Sequence, residues 1–344
     1  MRPIKKFFEN KTVMVTGATG SFGSHFLKTL GEIKVNPKKI IIFSRDELKQ
    51  YQLRKKIYKY FRSKLRFFLG DVRDRERVFQ ALNGVDIVIH AAALKQVDTA
   101  EYNPSEYIKT NVVGAENITN GSIINNIDYV LALSTDKACS PINLYGASKL
   151  LSDKLFISGN DIKGKSRTKL SVLRYGNVMS SRGSVVPYFK ELVSHGKPLT
   201  ITDKNMTRFS ITLDEAVKFS FDSLQMMIGG ELFVPKIPSY RILDVVKAFE
   251  YKKKYKVIGI RSGEKLNEDL ISMHDAQRTI DLKNFFVIVP DNLTTPWDQK
   301  KFKKKKNIKK VNFCNKDFEY SSNKNKKFLT INEIKKIINK NIYD

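Results

Sequence analysis

The chain has 344 residues, of which 41% are hydrophobic and 28% charged, so it can bury one large core with an appended lobe. Its two cysteines, Cys139 and Cys314, exclude a disulfide framework, and their spacing suits no metal site. The formal net charge is +27, but lysine is spread along the whole chain. This distribution favours a solvated basic surface over a nucleic-acid footprint.

The first ten residues carry charge but no apolar run behind them, and the apolar stretch that follows is soon broken by glycines. This pattern predicts neither a signal peptide nor a membrane span. We therefore expect a cytoplasmic protein with no metal, no membrane partner and no nucleic-acid partner.

Continuous apolar runs, separated by helix-length segments, follow one another through the first half of the chain. Strands of this kind are typical of a parallel sheet covered on both faces. The predicted strands cover residues 11–16, 39–43, 66–71, 86–90, 129–133 and 170–174, and predicted helices cover residues 24–30 and 213–224. We predict an α/β fold, a Rossmann-type doubly wound parallel sheet with a smaller mixed α/β substrate-binding lobe.

A glycine-rich turn joins the first predicted strand to the first predicted helix, with the spacing G-x-x-G-x-x-G. Gly17 allows the tight turn, Gly20 allows the backbone to approach a pyrophosphate, and Gly23 allows close helix packing. Because strand, turn and helix coincide, the motif predicts a dinucleotide site.

The end of the second predicted strand indicates which nicotinamide cofactor binds. Ser44 and Arg45 come first and can donate to a 2′-phosphate, with Asp46 just behind them. This order favours NADP, since a bare acidic residue there would hold the ribose hydroxyls of NAD. Asp71 and Val72 after the third strand are placed to meet the adenine, although a helix-capping Asp would look identical.

The regular alternation weakens after residue 175, where glycines and prolines mark loops. We predict an NADP-binding Rossmann domain over residues 1–180, to which residues 210–228 return. Residues 181–209 and 229–290 form the predicted substrate-binding lobe, and residues 291–344 a basic C-terminal extension.

Two neighbouring pairs of side chains predict the chemistry. Tyrosine titrates near ~10, but the ammonium of Lys149, one helical turn after Tyr145, favours the phenolate. Tyr145 could then take a proton from a substrate hydroxyl as the carbon below gives up a hydride. Asp136 and Lys137 add the acid and base that breaking a C–O bond requires. This role needs a lowered pKa for Lys137 and a raised pKa for Asp136, and a simple ion pair in a polar loop is the alternative.

These motifs resemble the extended short-chain dehydrogenase/reductases, specifically the configuration-inverting UDP-N-acetylglucosamine 4,6-dehydratases of pseudaminic acid biosynthesis. The matching runs extend almost to residue 290. They cover residues 16–23, 44–50, 90–95, 133–137, 143–149, 174–178, 181–187, 206–209 and 233–238.

The resemblance implies that Lys137 is the base at C5, Asp136 the acid for the C6 hydroxyl, and Tyr145 the base for oxidation at C4. Thr135 would hold a sugar oxygen, and Lys149 the nicotinamide ribose. Further implied cofactor contacts are Thr19, Ser21, Phe22, Lys49, Ala91 and Lys95, and implied UDP-sugar contacts are Lys95, Asn177, Arg208, Arg261 and Glu264. It also implies tightly bound NADP, regenerated in each turnover, and a homo-oligomer, either dimer or hexamer.

Other interpretations stay open. A UDP-sugar C4-epimerase needs no base at C5 and would leave Asp136 and Lys137 idle. A related soluble dehydratase could make 6-deoxyaminosugars for capsule or O-antigen, whereas a dehydratase that retains the C5 configuration should carry an N-terminal hydrophobic region. A non-catalytic nucleotide-binding protein docked on nucleic acid would give Tyr145 and Lys149 no purpose.

Overall fold

A computed structural model describes residues 2–179, 183–291, 296–305, 308 and 310–339 of the chain. The predicted domain boundary at residues 180 and 181, and the start of the matching run 181–187, lie outside the described residues. The helices are α1 (Arg2–Phe8), α2 (Ser21–Glu32), α3 (Glu47–Phe61), α4 (Arg75–Leu82), α5 (Val97–Tyr102), α6 (Pro104–Tyr107), α7 (Gly114–Ile124), α8 (Leu144–Ile162), α9 (Val185–Ser194), α10 (Leu213–Met226), α11 (Ile242–Ala248), α12 (Gln299–Lys305) and α13 (Ile331–Asn339).

The strands are β1 (Thr12–Thr16), β2 (Lys39–Ser44), β3 (Leu65–Leu69), β4 (Ile87–His90), β5 (Tyr129–Thr135), β6 (Lys169–Tyr175), β7 (Asn177–Val178), β8 (Thr200–Ile201), β9 (Thr207–Ile211), β10 (Leu232–Pro235), β11 (Ser239–Arg241), β12 (Lys256–Val257), β13 (Asp269–Ile271), β14 (Thr279–Asp281), β15 (Phe285–Ile288), β16 (Asn312–Phe313) and β17 (Tyr320–Ser321). All six predicted strands are present within two residues of their predicted bounds.

The main sheet runs in the order β16-β14-β15-β10-β6-β5-β4-β1-β2-β3. Strands β1 to β6 and β10 are parallel to one another, and β15, β14 and β16 extend the sheet beyond β10 with antiparallel pairs. The chain leaves β1 towards β2 and β3 and then crosses to β4 on the other side of β1. This switch point opens a crevice at the carboxyl ends of the strands, where ligands bind in such sheets. The predicted α/β fold is confirmed.

Two buried clusters support the site from opposite sides. The larger one packs the strands of the main sheet between their covering helices, with Val15, Ile42 and Ile89 fully buried. The smaller one joins α9, α11 and α13, which are called the lobe from here on, and in it Phe189 and Val245 pack with Ile334. The C-terminal segment therefore contributes to the core of the lobe. It also pairs β17 with β13, which leads away from the site.

Side-chain caps determine where the helices around the crevice begin. Asp46 accepts a hydrogen bond from the Lys49 amide at the start of α3, and Asn143 accepts one from the Gly146 amide at the start of α8. Helix α2 differs, because Gly20 precedes it and no side chain caps its first amides. Its free N-terminal amides are available to an anion.

Candidate active site

A cavity of about 550 Å³ lies at the carboxyl ends of β1, β4, β5 and β6 and is closed on its other side by loops of the lobe. The structure brings most of the predicted residues together here. Those lining the cavity are Gly17, Gly20, Ser21, Phe22, Gly23, Ala91, Lys95, Thr135, Asp136, Lys137, Tyr145, Lys149, Asn177, Arg208, Arg261 and Glu264. The remaining predicted cofactor residues, Thr19, Ser44, Arg45, Asp46, Lys49, Asp71 and Val72, are not among the lining residues.

The glycine turn has the geometry that its spacing predicts. Gly17 has φ +62°, and a Cβ atom there would lie 2.7 Å from the Ala91 backbone. A Cβ on Gly23 would lie 2.6 Å from the Ala18 Cα, so α2 packs too closely on the turn for any side chain. Gly20 and the uncapped start of α2 face the cavity. The turn therefore fits a pyrophosphate at its open side.

The ends of β2 and β3 form a second group of polar side chains along the same sheet edge. Arg45 is half exposed, and its guanidinium lies 3.5 Å from Asp71. The Asp46 carboxylate is occupied, because it caps α3 through the Lys49 amide at 2.9 Å and pairs with the Lys49 ammonium at 2.8 Å. Val72 is buried. An arginine is thus more available at this position than a carboxylate.

Tyr145 and Lys149 lie one turn apart on α8, as predicted, but Lys149 has a different partner. Its ammonium donates a hydrogen bond of 2.8 Å to the Leu133 carbonyl. Burial raises the pKa of Tyr145 to about 12, and the Lys137 charge and a hydrogen bond with Thr135 lower it only in part. Burial also lowers the pKa of Lys149. The ammonium that favours the phenolate most is therefore that of Lys137.

The turn after β5 presents the second proton-transfer pair to the cavity. The Lys137 ammonium lies 3.1 Å from Asp136 Oδ1, which also accepts a hydrogen bond of 2.8 Å from the Thr135 hydroxyl. Asp136 is only 1% exposed, and its Oδ2 has no hydrogen-bond partner among the described residues. One carboxylate oxygen is thus held, and the other is buried without a partner among the described residues.

Glu268 is the functional residue that the sequence analysis missed. It is 2% exposed, and its Oε1 lies 3.3 Å from the Lys137 ammonium and 3.8 Å from Arg208 Nε. Its Oε2 has no hydrogen-bond partner in the described part of the chain. In the sequence, only its position shortly after Glu264, a predicted site residue, indicates that Glu268 lies near the site.

The pKa of Lys137 shifts in the direction opposite to the one that its role as a base requires. Burial alone would lower it, but the nearby carboxylates of Asp136 and Glu268 outweigh burial and raise it above the ordinary lysine value. The base role therefore lacks the lowered pKa that it requires, because the fold places two carboxylates beside the ammonium. In this state of the protein Lys137 is an ammonium and must lose its proton before it can act as a base.

The predicted substrate residues lie on the lobe side of the cavity. Arg208 is 7% exposed, and its guanidinium donates to the carbonyls of Thr207, Lys265 and Leu266 at 2.7 to 2.9 Å. Arg261 is exposed, and its guanidinium lies 3.5 Å from the Asp98 carboxylate. Arg261 is therefore better placed than Arg208 to rearrange around a diphosphate.

Asn177 and Glu264 complete the lobe side of the cavity. Asn177 Oδ1 is buried and has no hydrogen-bond partner among the residues that the structure describes, so it can accept from a ligand. Glu264 accepts a hydrogen bond of 3.4 Å from the Arg261 amide and thereby shapes the loop.

Known proteins were compared with this chain. A family described as polysaccharide biosynthesis protein matches residues 13–290. The chain belongs to this family. It is 48% identical over 341 residues to a UDP-N-acetylglucosamine 4,6-dehydratase (inverting) of Campylobacter jejuni, covering 96% of this chain and 98% of the relative. The resemblance to these dehydratases is confirmed, and the chain is an enzyme.

Other members and neighbours of the polysaccharide biosynthesis family carry different names. A UDP-glucose 4-epimerase of Rickettsia canadensis is 44% identical over 290 residues, covering 83% of this chain and 84% of the relative. The X-ray structure of Pen from Bacillus thuringiensis superposes with a TM-score of 0.84 at 30% identity, covering 96% of this chain and 98% of that chain. DesIV, a dTDP-glucose 4,6-dehydratase from Streptomyces venezuelae, shares the fold, with a TM-score of 0.64, 21% identity and coverage of 74% and 86%.

Neither a metal-binding cluster nor a membrane-spanning helix occurs among the described residues. Nowhere in that part of the chain do three or more His, Cys, Asp or Glu side chains come together as a metal site would require. No described helix is both long enough and apolar enough to cross a membrane.

Proposed function

We propose that this chain dehydrates UDP-N-acetylglucosamine across C4, C5 and C6 with inversion at C5, giving UDP-2-acetamido-2,6-dideoxy-β-L-arabino-hex-4-ulose. The observation that carries the proposal is the 3.1 Å contact of Lys137 with Asp136, in the same cavity as Tyr145 and the dinucleotide turn. The Campylobacter relative, which is named for this reaction, supports it.

The proton transfers can be assigned to residues of the cavity. Tyr145 takes the proton of the C4 hydroxyl, and the nicotinamide cofactor, when bound, supplies the hydride acceptor and later the donor. Oxidation at C4 makes the C5 proton acidic, so that Lys137 can remove it and Asp136 can protonate the departing C6 hydroxyl. One proton passed from Lys137 to Asp136 along their contact creates the base and the acid together.

We propose NADP as the cofactor. Asp46 already caps α3 and pairs with Lys49, so its carboxylate is engaged, whereas Arg45 and Ser44 stand beside it at the end of β2. A guanidinium there recognises a 2′-phosphate. Denaturing the purified protein and identifying the released nucleotide by mass spectrometry tests this assignment, and recovery of NAD alone would contradict it.

We further propose that the protein works as a cytoplasmic homo-oligomer, a dimer or hexamer, at the first step of pseudaminic acid biosynthesis. The family match and the resemblance to the pseudaminic acid dehydratases support this place in metabolism. Light scattering of the purified protein measures the oligomer, and a monomer would contradict that part of the proposal.

The deciding experiment is proton NMR of the purified protein with UDP-N-acetylglucosamine in deuterium oxide, with no cofactor added. We expect a 6-methyl signal, deuterium at C5 and the coupling pattern of the L-arabino 4-keto sugar. A D-xylo product would keep the dehydration and remove the inversion. No reaction, even after NADP is added, would refute the substrate assignment.

A UDP-sugar C4-epimerase is the second candidate, because the Rickettsia relatives carry that name at 44% identity. Epimerisation needs Tyr145 and a hydride but no acid or base at C5. The same NMR experiment separates the two, since an epimerase returns a C4 epimer with hydrogen, not deuterium, at C5.

A further inference from the structure

One ammonium in the cavity is shared by two buried carboxylates. Lys137 lies 3.1 Å from Asp136 and 3.3 Å from Glu268, and both carboxylates are almost completely buried. Each of them has a second oxygen without a hydrogen-bond partner among the described residues. The reaction proposed above assigns proton transfers to Tyr145, Lys137 and Asp136, so Glu268 has no assigned part.

The charge on Glu268 opposes the proton transfer that creates the base. When Lys137 gives its proton to Asp136, both become neutral, and a charged Glu268 then loses the ammonium beside it. A carboxylate buried without its counter-charge is unfavourable, so a charged Glu268 holds the proton on Lys137. If Glu268 carries a proton of its own, Lys137 has one anionic partner fewer and releases its proton more easily.

We propose that Glu268 is a positioning residue that controls the charge of Lys137: as a carboxylate it keeps Lys137 an ammonium, and turnover runs through the form in which Glu268 is protonated. This inference rests on the proposed function. The protons balance, because Glu268 takes one proton from solvent before the reaction and keeps it. The Lys137 proton moves to Asp136, and Glu268 makes no bond to the substrate.

The surroundings of Glu268 support a protonated form. Its burial and the Asp136 charge raise the pKa of Glu268, and the opposing charges of Lys137, Arg208 and Lys265 do not cancel that rise. The charged and titratable groups that face it are Lys137 and Asp136 from the turn after β5, Arg208 from β9, Lys265 from its own loop and Tyr240 from β11.

Arg208 compensates the Glu268 charge less directly than Lys137 does. Its Nε lies 3.8 Å from Glu268 Oε1, beyond hydrogen-bonding distance, and its terminal nitrogens donate to backbone carbonyls. The Lys137 ammonium is therefore the nearer of the two cations that the structure places within 4 Å of Glu268 Oε1, among the described residues.

The C-terminal segment holds Glu268 at this distance from Lys137. The Glu268 amide donates to the Ser322 hydroxyl oxygen at 2.9 Å, and the Ser322 amide donates to the Glu268 carbonyl at 2.8 Å. The Ser322 hydroxyl also lies 2.7 Å from the Thr207 hydroxyl on β9. This clamp places the carboxyl group against the turn after β5.

The test compares the pH dependence of kcat for the wild-type enzyme and Glu268→Gln, whose amide mimics the protonated carboxyl group. Above the midpoint of Glu268, the wild-type kcat should fall about tenfold for each pH unit. E268Q should lack this alkaline decline and keep at least about a tenth of the neutral-pH turnover. The control is Asp269→Asn, a neighbouring carboxylate outside the cavity, which should keep the wild-type profile.

A decline in E268Q at the wild-type midpoint, or a folded but inactive E268Q, would overturn the inference. A wild-type kcat with no alkaline decline would also overturn it, and this measurement needs no variant.

A second measurement needs no substrate. It is carbon-13 NMR of the wild-type protein labelled at the glutamate carboxyl carbons, with the Glu268 signal assigned from its absence in E268Q. We expect a midpoint well above the ordinary value of ~4.3, and a midpoint at or below it would overturn the inference.

These two measurements keep the proposals apart. If the wild-type enzyme does not convert UDP-N-acetylglucosamine at any pH, the proposed function fails. The NMR midpoint of Glu268 then still confirms or refutes the unusual charge state of this residue.

Discussion

Replacing Lys137 by methionine should expose how strongly the site depends on a shared charge. The substitution keeps an unbranched side chain that is one atom shorter, and it leaves Asp136 and Glu268 buried without their common partner. Their oxygens both lie within 3.3 Å of the missing nitrogen, so they are at most about 7 Å apart. Two charges at that distance repel by about 2 kcal/mol at an effective dielectric constant of 20. Removing one partner of a buried ion pair typically costs about 3–5 kcal/mol.

The protein can avoid part of this penalty by binding a proton, so the loss should depend on pH. A carboxyl group whose pKa is raised in the folded state holds a proton that the unfolded chain releases above ~4.3. Stability is therefore full below that value and falls as the pH rises towards the folded pKa, by up to about 1.4 kcal/mol per pH unit. The destabilisation of K137M relative to wild type should be larger at pH 8 than at pH 5.

Urea unfolding of both proteins from pH 5 to pH 8 measures this difference. The double variant K137M/E268Q leaves a single buried carboxylate and should recover about 2 kcal/mol at pH 8. A difference between wild type and K137M that does not change with pH would refute the shared-charge argument. So would a double variant no more stable than K137M.

Three further perturbations test the surroundings of the site. Gly23→Ala should lower both the melting temperature and the amount of bound cofactor, because its Cβ would lie 2.6 Å from a backbone atom. Gly20→Ala, whose Cβ would lie 3.1 Å from the nearest backbone atom, should lower the cofactor content alone. Equal melting temperatures of the two variants would contradict this expectation. Arg45→Ala should weaken NADP binding at least about tenfold in calorimetry and leave NAD binding unchanged, and an equal loss for both would argue against NADP. Ser322→Ala leaves the Glu268 amide without its acceptor, so we expect about 1–3 kcal/mol less stability in urea unfolding and lower turnover; unchanged turnover would show that the clamp does not position Glu268.

The parts of the fold that could be predicted from the sequence are those determined locally. Each buried parallel strand is a continuous apolar run, and this pattern is readable because both faces of the sheet are covered. The glycine turn and the pair Tyr145 and Lys149 each lie within one turn or one helix, so their spacing alone determines their geometry. The short strands β16 and β17 have two residues each and no apolar pattern. Their pairing depends on neighbours that are distant in sequence.

Glu268 could not be predicted, because nothing local marks it as buried. Its flanking residues, Asn267 and Asp269, are polar, and a solvated loop is the natural expectation for such a run. It is buried because Ser322 holds its backbone and because Lys137 and Arg208 offer counter-charges from two other elements.

The sign of the Lys137 pKa shift depends on this same residue. The sequence places one carboxylate, that of Asp136, beside Lys137, and it does not show whether burial or that carboxylate dominates the pKa of the lysine. The second carboxylate, that of Glu268, also raises the pKa of Lys137, and Lys137 is an ammonium in the folded protein. The pair of Asp136 and Lys137, which the sequence shows, is therefore necessary for an acid–base couple but does not by itself determine the charge of Lys137. That charge depends on one proton on Glu268, which only the tertiary structure brings within 3.3 Å of the lysine.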